Sequence, residues 1–118
     1  MSILSTAAGA GKKPRLGRLF NVEDRRAVDV QAGDLIQFVI AWPTPRGKIV
    51  SLKHDIRGGA CEYLAVAETT NPADDRIRIQ RVSLYVKAKE KGKAVVRVTP
   101  FTDKGKKLPV IVFKVTVK

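Results

Sequence analysis

The strongest constraint on the fold is an alternation of apolar and polar residues that recurs along the chain. Ile36, Phe38 and Ile40 share one side of an apolar segment, and residues 94–98 and 111–117 repeat the same period of two. Successive side chains of a β-strand point to opposite faces, so this period predicts strands that each bury one face. No segment of the sequence shows a convincing helical period.

Turn-forming residues separate the alternating segments at intervals of roughly 8–12 residues. Gly33 marks one turn, two prolines and a glycine within residues 43–47 mark another, and Gly92 lies in a third. The pattern divides the chain into about seven to nine short strands, which is typical of an all-β sandwich. A small OB-like β-barrel is an alternative that fits the same pattern.

Several element boundaries follow from the same pattern. We expect a short strand over residues 48–52, a loop over 54–60 and a loop over 100–107, followed by a final strand over 108–118. Within residues 76–88, Ile77 and Ile79 are expected to face inward and Arg78 and Gln80 outward, and the alternation then slips by one position at Arg81-Val82. A single slipped residue predicts a β-bulge or a break in that strand.

The length of 118 residues indicates one domain. Residues 1–17 contain small, basic and turn-forming residues with little apolar surface, so we predict a disordered basic arm there. The β-sandwich domain is then expected to span residues 18–118. The sequence contains no apolar run of the length that a transmembrane helix requires.

The distribution of charge points to an acidic partner. The formal net charge is +12, and residues 76–118 carry thirteen Lys or Arg against two acids. Such an asymmetry predicts contact with an acidic macromolecule, either nucleic acid or an acidic protein or polymer. The alternative is a basic surface that only aids solubility. The candidate partner-binding residues are Lys12, Lys13, Arg15, Arg18, Arg76, Arg78, Lys89, Lys91, Lys93, Arg97, Lys104, Lys106 and Lys107.

Catalytic chemistry has little support in the sequence. Cys61 is the single cysteine and His54 the single histidine, so neither an intramolecular disulfide nor a multi-cysteine zinc site is predicted. A lone thiol more often packs as a small hydrophobe than acts as a nucleophile. We therefore expect no enzyme, no metal, no cofactor and no small-molecule substrate. The absence of paired cysteines favours a reducing compartment, the cytoplasm.

A second candidate surface is apolar. Val95, Val110 and Val112 are predicted on the same outward faces as Arg97, and exposed apolar patches often mark interfaces. The segment around residues 19–22 is one candidate to cover them, and a second copy of the protein is another. The final strand is long and apolar, so an unprotected edge there would favour pairing between chains. We therefore predict a homo-oligomer.

Two stretches resemble bacterial immunoglobulin-like domains. The pattern Val-x-Val-x-x-Gly-Asp-x-Ile-x-Phe over residues 28–38 is similar to the opening strand pair of those domains. Residues 88–100 are similar to the strand, glycine turn and strand that precede their final strand. This resemblance covers about a third of the chain. It implies an immunoglobulin-like sandwich used for binding, adhesion or assembly, without specifying a partner.

Within that group, the chagasin-like inhibitors block cysteine proteases with three loops. Their Asn-Pro-Thr-Thr-Gly loop is missing from this sequence, whereas Thr99-Pro100-Phe101 is similar to their Arg-Pro-Trp/Phe loop. Three functions are thus predicted. The first is a non-catalytic structural or interaction module that assembles through β edges or faces. The alternatives are a sequence-independent nucleic-acid-binding protein and a chagasin-like inhibitor.

Overall fold

The computed structural model describes residues 17–23, 25–70 and 79–118. This part of the chain forms eight strands and one short 3₁₀ turn, Thr44–Arg46. Among these residues, no helix has the length and apolar character needed to cross a membrane. The strands are β1 (Leu19–Val22), β2 (Ala27–Val30), β3 (Leu35–Pro43), β4 (Ile49–Arg57), β5 (Cys61–Glu68), β6 (Ile79–Ala88), β7 (Gly92–Thr102) and β8 (Ile111–Val117).

The strands form two four-stranded sheets, ordered β1-β3-β6-β5 and β2-β8-β7-β4. The first two strands of the chain lie in different sheets, and each pairs in parallel with its neighbour. The remaining pairs are antiparallel. This order is that of an immunoglobulin-like sandwich whose first strand is divided between the two sheets. Two open sheets confirm the predicted sandwich and exclude the OB-like barrel.

The core lies between the sheets and consists mainly of Val, Ile, Leu and two Phe residues. The inward positions alternate as the sequence predicts, with Ile36 and Phe38 on β3 and Val96 and Val98 on β7 fully buried. The rings of Phe38 and Phe113 come from opposite sheets, and their centroids are 4.4 Å apart. Contact between large apolar side chains from both inner faces holds the two layers together.

The predicted bulge at Arg81-Val82 does not occur. β6 pairs with β3 from Ile79 to Lys87 without a register shift, because Gln80 faces inward with Val82. Because Gln80 is polar, the alternation pattern places it outward, and the apparent slip follows from that placement. The register shifts lie instead in the two outer strands, between Ile49 and Ser51 and between Tyr63 and Ala65.

Two predicted loops have bounds other than those expected, and the last strand begins at Ile111 rather than at residue 108. β4 extends to Arg57, so most of the predicted loop over 54–60 is strand, and the turn is confined to residues 58–60. Gly58 has φ +99, and an added Cβ would collide with the carbonyl oxygen of Lys93, so this turn requires glycine. β7 continues to Thr102, so the loop expected over 100–107 begins only at residue 103.

Two predictions about the sheet edges are wrong. Residues 19–22 do not cover the valine-rich face, because they form β1 at the edge of the other sheet. The final strand is also not an open edge over its whole length. β8 lies inside its sheet, with β7 on one side and β2 pairing with Lys114–Val117 on the other.

Candidate functional site

Three connections converge at one end of the sandwich, which we call the loop end. They are residues 44–48 between β3 and β4, residues 69–78 between β5 and β6, and residues 103–110 between β7 and β8. The register places Pro43 opposite Ile79 and Ile49 opposite Thr102, so these strand ends lie at the same end of their sheets. Of the middle connection, the structure describes residues 69–70.

The first connection is short and conformationally restricted. Pro43 and Pro45 fix two backbone φ angles, and the 3₁₀ turn closes when the Gly47 N–H donates to the Thr44 carbonyl at 3.0 Å. Gly47 then takes φ +108, a conformation that favours glycine. A loop with so few free dihedral angles loses little entropy when it binds a partner.

The first and third connections are joined to each other through backbone groups. The Lys48 N–H donates to the Asp103 carboxylate at 3.1 Å, and the Asp103 N–H donates to the Lys48 carbonyl at 2.8 Å. These two connections therefore form one continuous surface rather than two independent loops.

Gln80 supports this surface from inside the core. Its Oε1 accepts the Ile49 N–H at 2.6 Å, and its Nε2 donates to the Ile49 carbonyl at 2.8 Å. Gln80 is on β6 and Ile49 begins β4, so the side chain links the two sheets directly below the first connection. Buried polar groups are stable when their hydrogen bonds are made, and both groups of this amide are paired.

The third connection is a compact turn followed by an apolar segment. Lys106 and Gly105 complete the turn through hydrogen bonds with Thr102, and buried Leu108 anchors the segment that follows. An open groove of about 740 Å³ runs along the segment. Its lining residues are Trp42, Lys106, Lys107, Leu108, Pro109 and Val110. In the described part of the chain, the indole N–H of Trp42 is buried without a hydrogen-bond partner.

The structure separates the predicted basic residues into several groups. Lys93 and Arg97 lie on the outward face of the β2-β8-β7-β4 sheet, while Lys104, Lys106 and Lys107 belong to the loop end. Lys89 and Lys91 are exposed at the opposite end, beside the turn between β6 and β7. Arg18 precedes β1 at the edge of the other sheet, and its guanidinium lies over the Phe20 ring. Lys12, Lys13, Arg15, Arg76 and Arg78 fall outside the described residues.

The outward face of the β2-β8-β7-β4 sheet, the basic face hereafter, contains further cations that are not among the predicted partner-binding residues. Lys53 and Arg57 project from β4 and Lys114 from β8, beside Arg97. Lys53 and Arg57 were missed because β4 was expected to end at residue 52. Continuing the alternation through residue 57 would have placed both outward.

The three predicted valines share this face. Val95 lies opposite Lys114 and Val112 opposite Arg97, and Val110 comes just before the start of β8. Val110 and Val112 are 46% and 36% exposed, whereas Val95 is half-buried. The apolar positions are therefore interleaved with cations and do not form a continuous apolar patch. Their role in assembly remains a prediction.

The side chains of Cys61 and His54 take part in packing between strands. Burial raises the pKa of the Cys61 thiol, which disfavours the nucleophilic thiolate. His54 lies in strand β4 rather than in a loop, and its ring stacks on Tyr63 of β5 with centroids 4.1 Å apart. This stack bridges the outer strands of the two sheets.

Neither a family model nor a curated protein matches the sequence. Among solved structures, the chain is similar to the cysteine protease inhibitor EhICP2 from Entamoeba histolytica. The TM-score is 0.60 and the identity 12%, over 89% of this chain and 99% of that one. The solution structure of amebosin gives a TM-score of 0.46 and 10% identity, over 88% and 100% of the two chains. At 12% identity the first match shows a shared sandwich fold.

Proposed function

We propose that the protein is a non-catalytic binding module whose loop end enters the cleft of a papain-like cysteine protease and blocks it. The observation that carries this proposal is the joining of two connections into one surface by the two hydrogen bonds between Lys48 and Asp103. A preformed surface binds with a smaller entropic cost than independent mobile loops.

The sequence of the loop end supports the proposal. The full Asn-Pro-Thr-Thr-Gly loop of the chagasin-like inhibitors is missing, but Pro43, Thr44 and Gly47 occur in the same order as its Pro-Thr pair and final glycine, with one extra residue. Thr99-Pro100-Phe101, which is similar to the second loop motif, lies at the end of β7 directly before the third connection. Both stretches therefore lie near the same end of the molecule.

The fold shared with EhICP2, an inhibitor of cysteine proteases, is consistent with this proposal. The groove beside Trp42 and Pro109 adds an apolar surface that could contact the walls of a protease cleft. Interfaces of this kind are enriched in aromatic anchors surrounded by polar residues.

The direct test is a papain activity assay with increasing protein. We expect stoichiometric loss of activity against a small fluorogenic peptide, with the protein itself remaining uncleaved. Full protease activity in the presence of excess protein would exclude the proposal for papain-like enzymes.

A pair of labelled variants tests which end binds. Native Cys61 is buried, so a cysteine introduced at an exposed position accepts a bulky maleimide selectively. We expect labelled Lys104→Cys to lose inhibition, because the label occupies the loop end. Labelled Lys91→Cys, modified at the opposite end, should inhibit like the unmodified protein. Equal inhibition by both labelled variants would show that the loop end does not enter the cleft.

A further inference from the structure

The basic face carries cations that are not neutralised by acids of the same molecule. Lys53, Lys93, Arg97 and Lys114 are all exposed, and none forms a salt bridge within the described part of the chain. The two acids on this face form their salt bridges with other cations. Asp55 contacts Arg57 at 3.1 Å, and Asp29 contacts Lys118 at 3.5 Å. These four charges are therefore free to attract an anion.

The sheet register sets the spacing of these cations. Arg97 lies opposite Asp55 on β4 and opposite Val112 on β8, so Lys53 and Lys114 are its diagonal neighbours on the two sides. Diagonal neighbours on one face are about 7–8 Å apart. Lys53, Arg97 and Lys114 thus form a straight diagonal across three strands, and Lys93 lies one further diagonal step from Lys114.

The shape of the face limits the partner. Val95 and Val112 are shorter than the Lys and Arg side chains around them. The apolar side chains therefore cannot insert into the interior of a bilayer, which argues against a membrane as the partner. The basic face is also the surface of an open sheet, from which no helix or β-ribbon protrudes that could enter the groove of a duplex. A flexible single strand can instead lie across a sheet and follow a line of cations.

A depression beside the diagonal provides contacts for bases. It encloses about 250 Å³ and is lined in part by Arg97, Thr99, Phe101 and Lys107. Phe101 is half-buried with part of its ring accessible, and both an aromatic ring and a guanidinium plane can stack on a nucleobase. Lys107 connects this depression to the cations of the loop end.

We propose that the basic face binds single-stranded nucleic acid without sequence preference, with phosphates along the diagonal from Lys53 through Arg97 to Lys114. Each neutralised phosphate contributes about −0.7 to the slope of log affinity against log salt for a single strand. Three contacts on the diagonal therefore predict a slope of about −2 from this face.

Fluorescence anisotropy with a labelled mixed-sequence single-stranded oligonucleotide, over a series of salt concentrations, tests the proposal on the full chain. In the double variant Arg97→Glu and Lys114→Glu, we expect affinity to fall at least roughly tenfold and the slope to shrink by about 1.4. The matched control is Lys89→Glu with Lys91→Glu. This control makes the same change in net charge beside the turn between β6 and β7, away from the diagonal. It should retain most of the affinity and most of the salt dependence.

Three outcomes would overturn the proposal: no binding at low salt, equal losses in the two double variants, or competition by heparin, duplex DNA or anionic vesicles as effective as by unlabelled single strand. Equal losses would indicate attraction to net charge alone. Equal competition would assign the face to a different polyanion. The Arg97→Glu and Lys114→Glu variant should still inhibit papain, so this proposal and the proposed inhibitory function can fail separately.

Discussion

The side chain of Asp34 is fully buried, and its two carboxylate oxygens accept different backbone hydrogens. The Arg18 N–H donates to one oxygen at 3.0 Å, and the Gln31 N–H donates to the other at 2.8 Å. The backbone carbonyl of Asp34 also accepts the Ala88 N–H at 2.9 Å. One residue thus ties the beginning of β1, the turn after β2 and the end of β6.

We expect Asp34→Ala to lower the free energy of unfolding by about 3 kcal/mol, because two backbone donors lose a charged acceptor. Urea denaturation measures the change. Asp29→Ala is the matched control, since Asp29 is largely exposed and its pair with Lys118 should contribute little. Similar losses in both variants would mean that the buried hydrogen bonds of Asp34 are not responsible.

Residue patterns predicted Asp34 only as part of a turn, with Gly33 before it. The turn was recognisable because Gly and Asp favour turns locally. The hydrogen bond from the Arg18 N–H to the Asp34 carboxylate was not recognisable from the sequence. Arg18 lies sixteen positions away, and it meets Asp34 only because β1 pairs beside β3.

At the level of elements, the link between Gln80 and Ile49 holds the start of β4 against the opposite sheet. Gln80→Leu keeps the size of the side chain but leaves the Ile49 N–H and carbonyl unpaired. We expect unfolding to become easier by about 3 kcal/mol and hydrogen exchange at the Ile49 amide to accelerate. NMR-detected exchange measures the local effect, and papain inhibition should weaken together with it.

Gln37→Leu provides the control for this link. Gln37 lies on the outer face of the first sheet and donates to the Ser83 hydroxyl at 3.0 Å, on the face that points away from Ile49. We expect a smaller loss of stability and unchanged exchange at Ile49. If Gln37→Leu accelerates exchange at Ile49 as much as Gln80→Leu, the effect is global and the cross-sheet link is not specific.

The strands were largely predictable because alternation is a local signal. It correctly placed Ile36 and Phe38 on β3 and Val96 and Val98 on β7 in the core. It failed at Gln80, where a polar residue occupies an inward position because its partner is a backbone group in the other sheet. A pattern based on polarity cannot detect a partner that only the packing of two sheets supplies.

At the scale of the whole molecule, the properties of two sheet edges argue against the predicted homo-oligomer. β4 and β5 each form an outer edge, and each contains a register shift, at Val50 and at Leu64 respectively. Bulges and nearby charges, such as Glu62 and Glu68 on β5, are the features by which edge strands resist pairing. The premise that β8 offers a long open edge was wrong.

We therefore expect a monomer of 13.0 kDa in solution. Light scattering over a range of concentrations, at low and high salt, measures the mass. A salt-insensitive dimer would restore the assembly hypothesis, with the exposed valines of the basic face or the edge of β5 as its interface. A mass of one chain at every concentration would exclude assembly through these edges.

The candidate surfaces were only partly predictable because they depend on sheet order. Segment charges identified the basic last third of the chain. They did not identify the diagonal, in which Lys53 comes from the acidic middle third and reaches Arg97 and Lys114 only through sheet pairing. Likewise, no local pattern indicates that residues 48 and 103 form hydrogen bonds with each other.

The parallel pairing of β2 with β8 has a mechanical consequence. Ala27 aligns with Lys114 and Val30 with Val117, so β2, the second strand from the N-terminus, runs in the same direction as the last strand. A force that pulls the N-terminus and C-terminus apart would slide these strands past each other. Their interstrand hydrogen bonds would then share the load together instead of opening one after another, which makes this short pair the point at which the sandwich resists extension.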